Sequence, residues 1–277
     1  MRIRKHNSGS AATAALLSLL IVILVVVTVY IFVARPSWSI PPAPITSVGV
    51  AVDHQYQLTL YVAGAVFILS QLGLAFAVFR FRDRGQRVRF SRGNNTMEYL
   101  WTSATIILFL GLGIMGRKAW AEVRFTDPAP DAIQVEVTAN QFVFNFRYPG
   151  ADGKFGRLDP KFISASTGNA VGVDPADAAG KDDIVVPTLT VPVNRQVELL
   201  IRSQDVIHNF FVRELRLQQD AVPGMVIPIH FTANQIGQYE IVCTQLCGLG
   251  HYRMRSFLFV VSAADYEKFL KDQAAGQ

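Results

Sequence analysis

Three apolar runs occupy the first 120 residues of the chain. The first, at 11–34, and the second, at about 56–79, contain no charged residue, and the third runs from about 99 to 116 with Glu98 at its edge. As a helix rising about 1.5 Å per residue, the first run would extend roughly 36 Å, enough to cross a hydrocarbon core of about 30 Å. The pattern therefore predicts an N-terminal transmembrane helix followed by a transmembrane helical hairpin.

After about residue 125 the pattern changes to short stretches rich in Val, Ile, Phe and Tyr, interrupted by Gly, Pro, Asn and Asp. Short stretches of this kind, separated by frequent turn residues, are typical of the strands of a β-sandwich or barrel. The segment 150–183 has no periodicity and is predicted to be a long loop or insertion, and residues 263–273 are predicted to form a terminal helix. The predicted strands are 133–138, 142–148, 188–193, 197–201, 207–212, 226–231, 239–243 and 256–261.

These elements divide the chain into three parts. Residues 1–55 form a transmembrane segment or signal anchor with a Pro-rich linker, 56–120 form the hairpin, and 121–277 form the β domain. The linker at 35–44 is predicted to be extended, since proline disfavours helix at the residue before it. The first apolar run has a second interpretation, because a basic start followed by an apolar stretch is also the form of a cleaved signal peptide. Its length exceeds the usual 7–15 or so apolar residues and favours retention.

Charge is distributed unevenly along the chain. The net charge is +5, but residues 1–124 carry 13 Lys+Arg and 4 Asp+Glu, net +9, whereas residues 125–277 carry 13 and 17, net −4. The basic residues concentrate before the first apolar run and in the loop 80–92. Because positive flanks of membrane helices stay in the cytoplasm, the β domain is predicted to lie outside. The excess of positive charge thus indicates a membrane flank and no nucleic-acid partner.

Both cysteines lie in one short segment that ends in two further candidate ligands. It reads Cys243-Thr-Gln-Leu-Cys247-Gly-Leu-Gly-His251-Tyr-Arg-Met254, and His208 begins a predicted strand upstream. Thiolate and thioether together suit copper, whereas imidazole suits copper or zinc. A disulfide and a structural zinc site are the alternatives. The usual paired spacing of zinc ligands is missing, and a zinc site would leave Met254 without a role, so the set favours a copper electron-transfer centre.

The segment 243–254 together with His208 resembles the dinuclear copper A site of subunit II of haem–copper cytochrome c oxidases. The resemblance extends to residues 95–102 at the start of the third apolar run and to 205–208 and 220–224 before the cysteines, and it covers about residues 50–270. It implies a membrane-anchored all-β fold, in which transmembrane helices precede a cupredoxin-like Greek-key β-barrel. The helices would be the hairpin and the extra N-terminal one.

The resemblance also implies a role for each ligand. Cys243 and Cys247 would bridge two copper ions, His208 and His251 would each bind one of them, and the last two ligands would be the Met254 thioether and the backbone carbonyl of Gln245. The domain would accept electrons from cytochrome c or a similar donor and pass them to haem in subunit I, where O2 is reduced to water with proton pumping. Glu98 would lie at the mouth of a proton channel.

The implied partners are subunit I, subunit III, the electron donor and membrane lipid. The implied location is a bacterial-type plasma membrane, crossed several times, with the copper domain on its outer, periplasmic or extracellular side. A membrane-anchored copper chaperone of the Sco type is the main rival. It would have a thioredoxin-like fold and usually Pro after the second cysteine, where this chain has Gly248. Two further rivals are a quinol oxidase subunit II that lacks copper ligands and a zinc-stabilised assembly subunit.

Two positions depart from the family pattern. Gln245 stands where Glu is usual, and that Glu side chain helps bind a magnesium ion shared with subunit I. Because Mg²⁺ prefers carboxylate oxygens, Gln245 argues against this ion. The aromatic stretch before the barrel usually carries tryptophans that face the donor, but here it carries Phe142 and Phe144. These two residues are either the point of electron entry or core of the β domain.

Overall fold

The computed structural model describes residues 11–34, 41–82 and 93–275. The described residues form four α-helices and ten strands. The helices are α1 (Ala11–Ala34), α2 (Ser47–Arg80), α3 (Asn95–Arg124) and α4 (Ala263–Ala275). The strands are β1 (Ile133–Asn140), β2 (Val143–Tyr148), β3 (Ile184–Val186), β4 (Leu189–Pro192), β5 (Gln196–Ser203), β6 (His208–Val212), β7 (Leu217–Ala221), β8 (Ile227–Thr232), β9 (Gly237–Val242) and β10 (Arg255–Val261).

The three predicted membrane helices are confirmed, and two of them are longer than predicted. Helices α1, α2 and the Asn95–Lys118 part of α3 are long and apolar enough to cross a membrane. Helix α2 begins at Ser47 rather than at about 56, because Thr46 caps it there: its Oγ1 accepts the Gly49 N–H at 2.8 Å. The earlier start of α3 follows from its cap, since Asn94 Oδ1 accepts the N–H groups of Thr96 (3.1 Å) and Met97 (3.3 Å).

Several charged and Pro-rich positions lie outside the described residues. They include the N-terminal basic residues, residues 35–40 of the predicted linker, and Arg84, Arg87, Arg89 and Arg92 of the basic loop. The prediction of membrane orientation, which depends on these charges, therefore stays a prediction.

Within the helical unit, α1 packs along α2. The Ser18 hydroxyl donates a hydrogen bond to the Ala75 carbonyl at 3.0 Å. Towards the other end of α1, the Phe32 ring meets the edge of Tyr61 with centroids 5.6 Å apart. The two contacts pair an early residue of one helix with a late residue of the other, so the helices run antiparallel. A hydroxyl-to-carbonyl bond between helices is a common means of association in a membrane.

The β unit consists of two five-stranded sheets that share one core. Their strand orders are β3-β2-β1-β5-β8 and β4-β10-β9-β6-β7. The pairs β1–β5 and β4–β10 are parallel, and the other ladders are antiparallel. Strands β5 and β10 alternate buried and partly exposed positions, as expected where one face of a sheet covers the core. The predicted membrane-anchored, cupredoxin-like all-β fold is confirmed.

All eight predicted strands and the terminal helix are present, but β3 and β7 escaped prediction. Strand β3 has only three residues. Strand β7 is polar in its middle and buried only at Leu217 and Ala221, so it lacks an alternating apolar pattern.

A buried ion cluster holds the base of the long insertion. Arg147 on β2 is 2% exposed and its guanidinium contacts the carboxylates of Glu136 on β1 (2.6 Å) and Asp183 (2.8 Å). It also donates to the Gly156 carbonyl at 2.8 Å, while the Gly156 N–H donates to Asp183 at 3.0 Å. Burial raises the pKa of Asp183, against the lowering effects of the Gly156 N–H and Arg147. The segment predicted to be an insertion is therefore fixed to the sheet at both ends.

Residues Pro42–Asp53 fold with the β unit, although they precede the hairpin. The structure divides into Met1–Pro41 with His54–Met115, and Pro42–Asp53 with Gly116–Gln277. Ile45 is 1% exposed; its N–H donates to the Glu214 carbonyl and its own carbonyl accepts the Asn234 N–H, both at 2.9 Å. Arg216 binds both carboxylate oxygens of Asp53, at 2.7 and 2.9 Å. This segment is thus part of the core and surface of the β unit.

Candidate metal centre

His208 begins β6 and is fully buried. Its Nε2 atom lies 2.7 Å from Asp205 Oδ1, while its Nδ1 atom has no hydrogen-bond partner among the described residues. A buried polar atom without a partner costs free energy, so such atoms usually bind an ion or a water molecule. His208 Nδ1 therefore has the properties of a metal ligand.

The two cysteines lie close to the His208 imidazole. Cys243 directly follows β9, and its Sγ is 3.9 Å from Cys247 Sγ; both are free thiols, 7% and 4% exposed. One ligand atom from each of His208, Cys243 and Cys247 lies within 4.8 Å of the others. The structure thus brings together three donors, one of which comes from a distant strand.

The other proposed ligands surround the sulfur atoms. His251 Nδ1 is 3.5 Å and Met254 Sδ 3.8 Å from Cys247 Sγ. The Gln245 carbonyl oxygen is 3.1 Å from Cys243 Sγ, whereas the Gln245 side chain is exposed. All six sequence-predicted ligands therefore meet at one place, and their roles as ligands are taken up below as a proposal.

Backbone hydrogen bonds and one aromatic ring shape the ligand loop. The Cys243 N–H donates to the Met254 carbonyl and the Met254 N–H to the His251 carbonyl, both at 3.1 Å, which closes the loop on itself. Gly248 has φ +131°, a conformation that favours glycine. A Cβ at Gly250 would lie 2.4 Å from Phe142 Cδ2, so this ring packs directly against the loop backbone.

The electrostatics of the site favour the neutral form of the Cys247 thiol until a cation binds. Burial, and then the neighbouring Cys243, raise the pKa of the Cys247 thiol to about 11. A bound metal cation reverses this preference, because a coordinating thiol is deprotonated. This largely buried donor set of thiol, imidazole and thioether fits copper.

The other sequence-predicted residues are not among the six proposed ligands. Phe144 is buried in the core, with its ring 6.2 Å from Phe210 and 6.5 Å from Phe146, in agreement with one of its two interpretations. Phe142 is partly buried against the ligand loop. Glu98 is exposed in the first turn of α3, within the helical unit. The roles of Phe142 in electron entry and of Glu98 in proton uptake stay predictions.

A second layer of polar residues supports the ligands and was not identified from the sequence. Thr244 donates to Asn209 Oδ1 at 2.6 Å, and Asn209 Nδ2 donates to Asp220 at 2.6 Å. Thr244 and Asn209 each follow a ligand in sequence, and this adjacency was a usable signal. Gln141 had no such signal in the sequence, because its Nε2 donates to the Cys247 carbonyl, at 2.7 Å, across a separation of 106 residues.

Comparisons with known proteins relate this chain to one family. Residues 177–262 match the family described as cytochrome c oxidase subunit II, periplasmic domain. A relative named alternative cytochrome c oxidase subunit 2, from Bradyrhizobium diazoefficiens, is 32% identical over 249 residues, which cover 89% of this chain and 87% of the relative. Cytochrome c oxidase subunit 2 of Cereibacter sphaeroides is 28% identical over 231 residues, 78% of this chain and 74% of the relative.

Among solved structures, the periplasmic domain of subunit II of cytochrome oxidase from Bradyrhizobium japonicum aligns with a TM-score of 0.40 and 23% identity. The alignment covers 55% of this chain and 99% of that domain.

Proposed function

The chain belongs to the cytochrome c oxidase subunit II family, and we propose that it is the electron-entry subunit of its oxidase. It accepts electrons from cytochrome c or a similar donor at a dinuclear copper centre and passes them to haem in subunit I, which reduces O2 to water with proton pumping. The observation that carries this proposal is the buried cluster of two thiols and the His208 imidazole, whose Nδ1 has no partner in the part of the chain that the structure describes.

The residues of the cluster have distinct tasks in this proposal. Cys243 and Cys247 would hold two copper ions through their sulfurs, His208 and His251 would supply one nitrogen each, and Met254 and the Gln245 carbonyl would complete the set. When bound, the copper pair stores one electron shared by both ions. The protein keeps water away from the sulfurs and holds the ligands in a hydrogen-bonded frame, so that little movement accompanies a change of charge.

The proposed set of cofactors is two copper ions without the shared magnesium. The Gln245 side chain is an exposed amide, and an amide lacks the negative charge that favours Mg²⁺.

The alternative functions are weaker for specific reasons. A Sco-type chaperone requires alternating strands and helices, whereas the β unit consists of two five-stranded sheets. A quinol oxidase subunit II lacks the copper ligands, whereas this chain has two free buried thiols beside the imidazole of His208, whose Nδ1 has no partner within residues 11–34, 41–82 and 93–275. A structural zinc site remains to be separated by experiment.

Metal counting on the full chain separates copper from zinc. The chain is purified in detergent, reduced, loaded with copper, and its metal content and electron spin resonance spectrum are recorded. We expect two coppers per chain and the spectrum of one unpaired electron shared by both ions. A single zinc retained through purification, or one isolated copper, would show that the proposed centre is wrong.

We also propose that the subunit lies in a bacterial-type plasma membrane, with the β unit on the outer side and subunits I and III and lipid as partners. The proposed parts are the N-terminal helix with its linker (1–55), the hairpin (56–120) and the copper domain (121–277). The Ser18–Ala75 hydrogen bond and the Phe32–Tyr61 contact support retention of α1 as a third membrane helix.

The intact mass of the mature subunit tests the retention of α1. We expect a mass that includes residues 11–34. Cleavage would remove α1 and with it the contacts that α1 makes with α2 through Ser18 and Phe32. A mature N-terminus located after residue 34 would contradict retention.

A further inference from the structure

The two ligand-bearing loops of the metal centre are joined through one residue, Gln141, at the turn between β1 and β2. Its main-chain N–H donates to Asp205 Oδ2 at 2.8 Å, in the loop that leads to His208. Its side-chain Nε2 donates to the Cys247 carbonyl at 2.7 Å, in the other loop. A residue that is not a ligand therefore contacts both segments that carry ligands.

Asp205, which Gln141 contacts, is also in contact with His208. Its Oδ1 atom accepts the Val206 N–H at 2.7 Å and lies 2.7 Å from His208 Nε2. Because an ionised carboxylate can only accept, this contact favours the tautomer with the imidazole proton on Nε2. In that tautomer the Nδ1 atom carries the free lone pair that a metal ligand must offer.

Phe142, in the same turn, packs against the backbone of the ligand loop. Its ring lies where a Cβ of Gly250 would be, and a Cβ of Gly248 would approach the ring to 3.2 Å and Gln141 Nε2 to 2.8 Å. The turn thus contacts the ligand loop through one hydrogen bond and one aromatic face. The loop cannot move towards β1 and β2 without displacing these groups.

We propose that Gln141 and Asp205 are positioning residues that arrange the copper ligands before any metal binds. Asp205 selects the His208 tautomer that has Nδ1 free, and Gln141 fixes Asp205 and the Cys247 backbone relative to each other. The inference rests on the proposed function, since it assigns these residues to the same copper site.

The tautomer of His208 can be read without copper. The full chain, labelled with ¹⁵N-histidine and kept in detergent and reductant, is studied by NMR. We expect His208 to hold its proton on Nε2 in the wild type. In the Asp205→Asn variant the new amide can donate to Nε2, so we expect a mixture or the Nδ1–H form. An unchanged tautomer in Asp205→Asn would overturn the role of Asp205.

Copper affinity tests the other link. Gln141→Leu removes the amide donor at similar volume, and we expect copper to bind about 10–100-fold more weakly, as is usual when support for a ligand is lost. The matched control is Gln134→Leu, because the Gln134 amide, on the neighbouring strand β1, instead contacts Glu198 at 2.8 Å. We expect wild-type affinity there, with unchanged circular dichroism in both variants. Equal affinity of Gln141→Leu and wild type would overturn the role of Gln141.

Failure of this inference is distinguishable from failure of the proposed function. If the wild type binds no copper pair, the function is wrong, while the tautomer measurement still stands. If the wild type binds the pair and neither variant changes affinity or tautomer, the function stands and the positioning role is wrong.

Discussion

Replacing Cys247 with Ser is expected to abolish the paired copper centre. The Cys247 sulfur lies within 3.9 Å of Cys243 Sγ, His251 Nδ1 and Met254 Sδ, so it is the donor that the other ligands share. A serine hydroxyl is a hard donor that ionises far less readily than a thiol, and it cannot replace a bridging thiolate on copper. We expect fewer than two coppers per chain, loss of the shared-electron spectrum, and oxidation of cytochrome c by the assembled oxidase at background level.

The control for this prediction comes from the same loop. Leu246 is 77% exposed and precedes Cys247, so Leu246→Ala changes the loop without changing a donor. We expect this variant to keep two coppers and the paired spectrum. If Cys247→Ser also kept that spectrum, the assignment of Cys247 as a bridging ligand would be wrong.

Replacing Arg147 with Met is expected to give the largest loss of stability in the β unit. The substitution removes the cation that the buried carboxylates of Glu136 and Asp183 share, so that Glu136 keeps only its pair with Arg202 (2.6 Å) and Asp183 loses its pair with Arg147. Removing one partner of a buried ion pair typically costs about 3–5 kcal/mol. For a domain of this size each kcal/mol lowers the unfolding midpoint by roughly 2–4 °C. Thermal unfolding of the full chain in detergent, followed by circular dichroism of the β unit, measures the effect.

The matched control is Arg157→Met within the insertion. Arg157 also contacts two carboxylates, Asp174 and Asp177, but its side chain is 74% exposed, so water and salt screen the pairs. We expect its midpoint to stay close to that of the wild type. Similar losses for both arginines would mean that the burial of Arg147 is not the cause.

The three long helices could be predicted because each contains a long, nearly uncharged apolar run, and most of the strands because each buries a regular apolar pattern. The pattern failed where burial is not periodic. Strand β7 is buried only at its ends, and β3 is too short to show alternation. The first turns of α2 were missed for a different reason, since the burial of Ile45 and Thr46 next to them depends on contacts with residues 214–234, far along the chain.

The candidate site was predictable to the extent that its chemistry is local in sequence. Five of the six proposed ligands lie within twelve residues, and a soft donor set of this kind has few uses. The residues that support the ligands were harder to predict from the sequence. Asp205 lies near His208, but nothing in the stretch around Gln141 indicates a contact with Cys247, because that contact arises only when the β1–β2 turn folds over the loop.

The position of Pro42–Asp53 has a consequence for biosynthesis. This segment is translated before the hairpin, yet it contributes Ile45 to a core whose other members follow residue 116, and Asp53 to the ion pair of Arg216. In the proposed orientation, the hairpin must first be inserted and the later chain exported. Only then can the β unit fold completely, because only then are residues 42–53 and the later chain on the same side of the membrane. A fragment that starts after the hairpin would lack Ile45 in its core and the Asp53–Arg216 ion pair, so in this orientation the copper domain becomes complete only after membrane insertion.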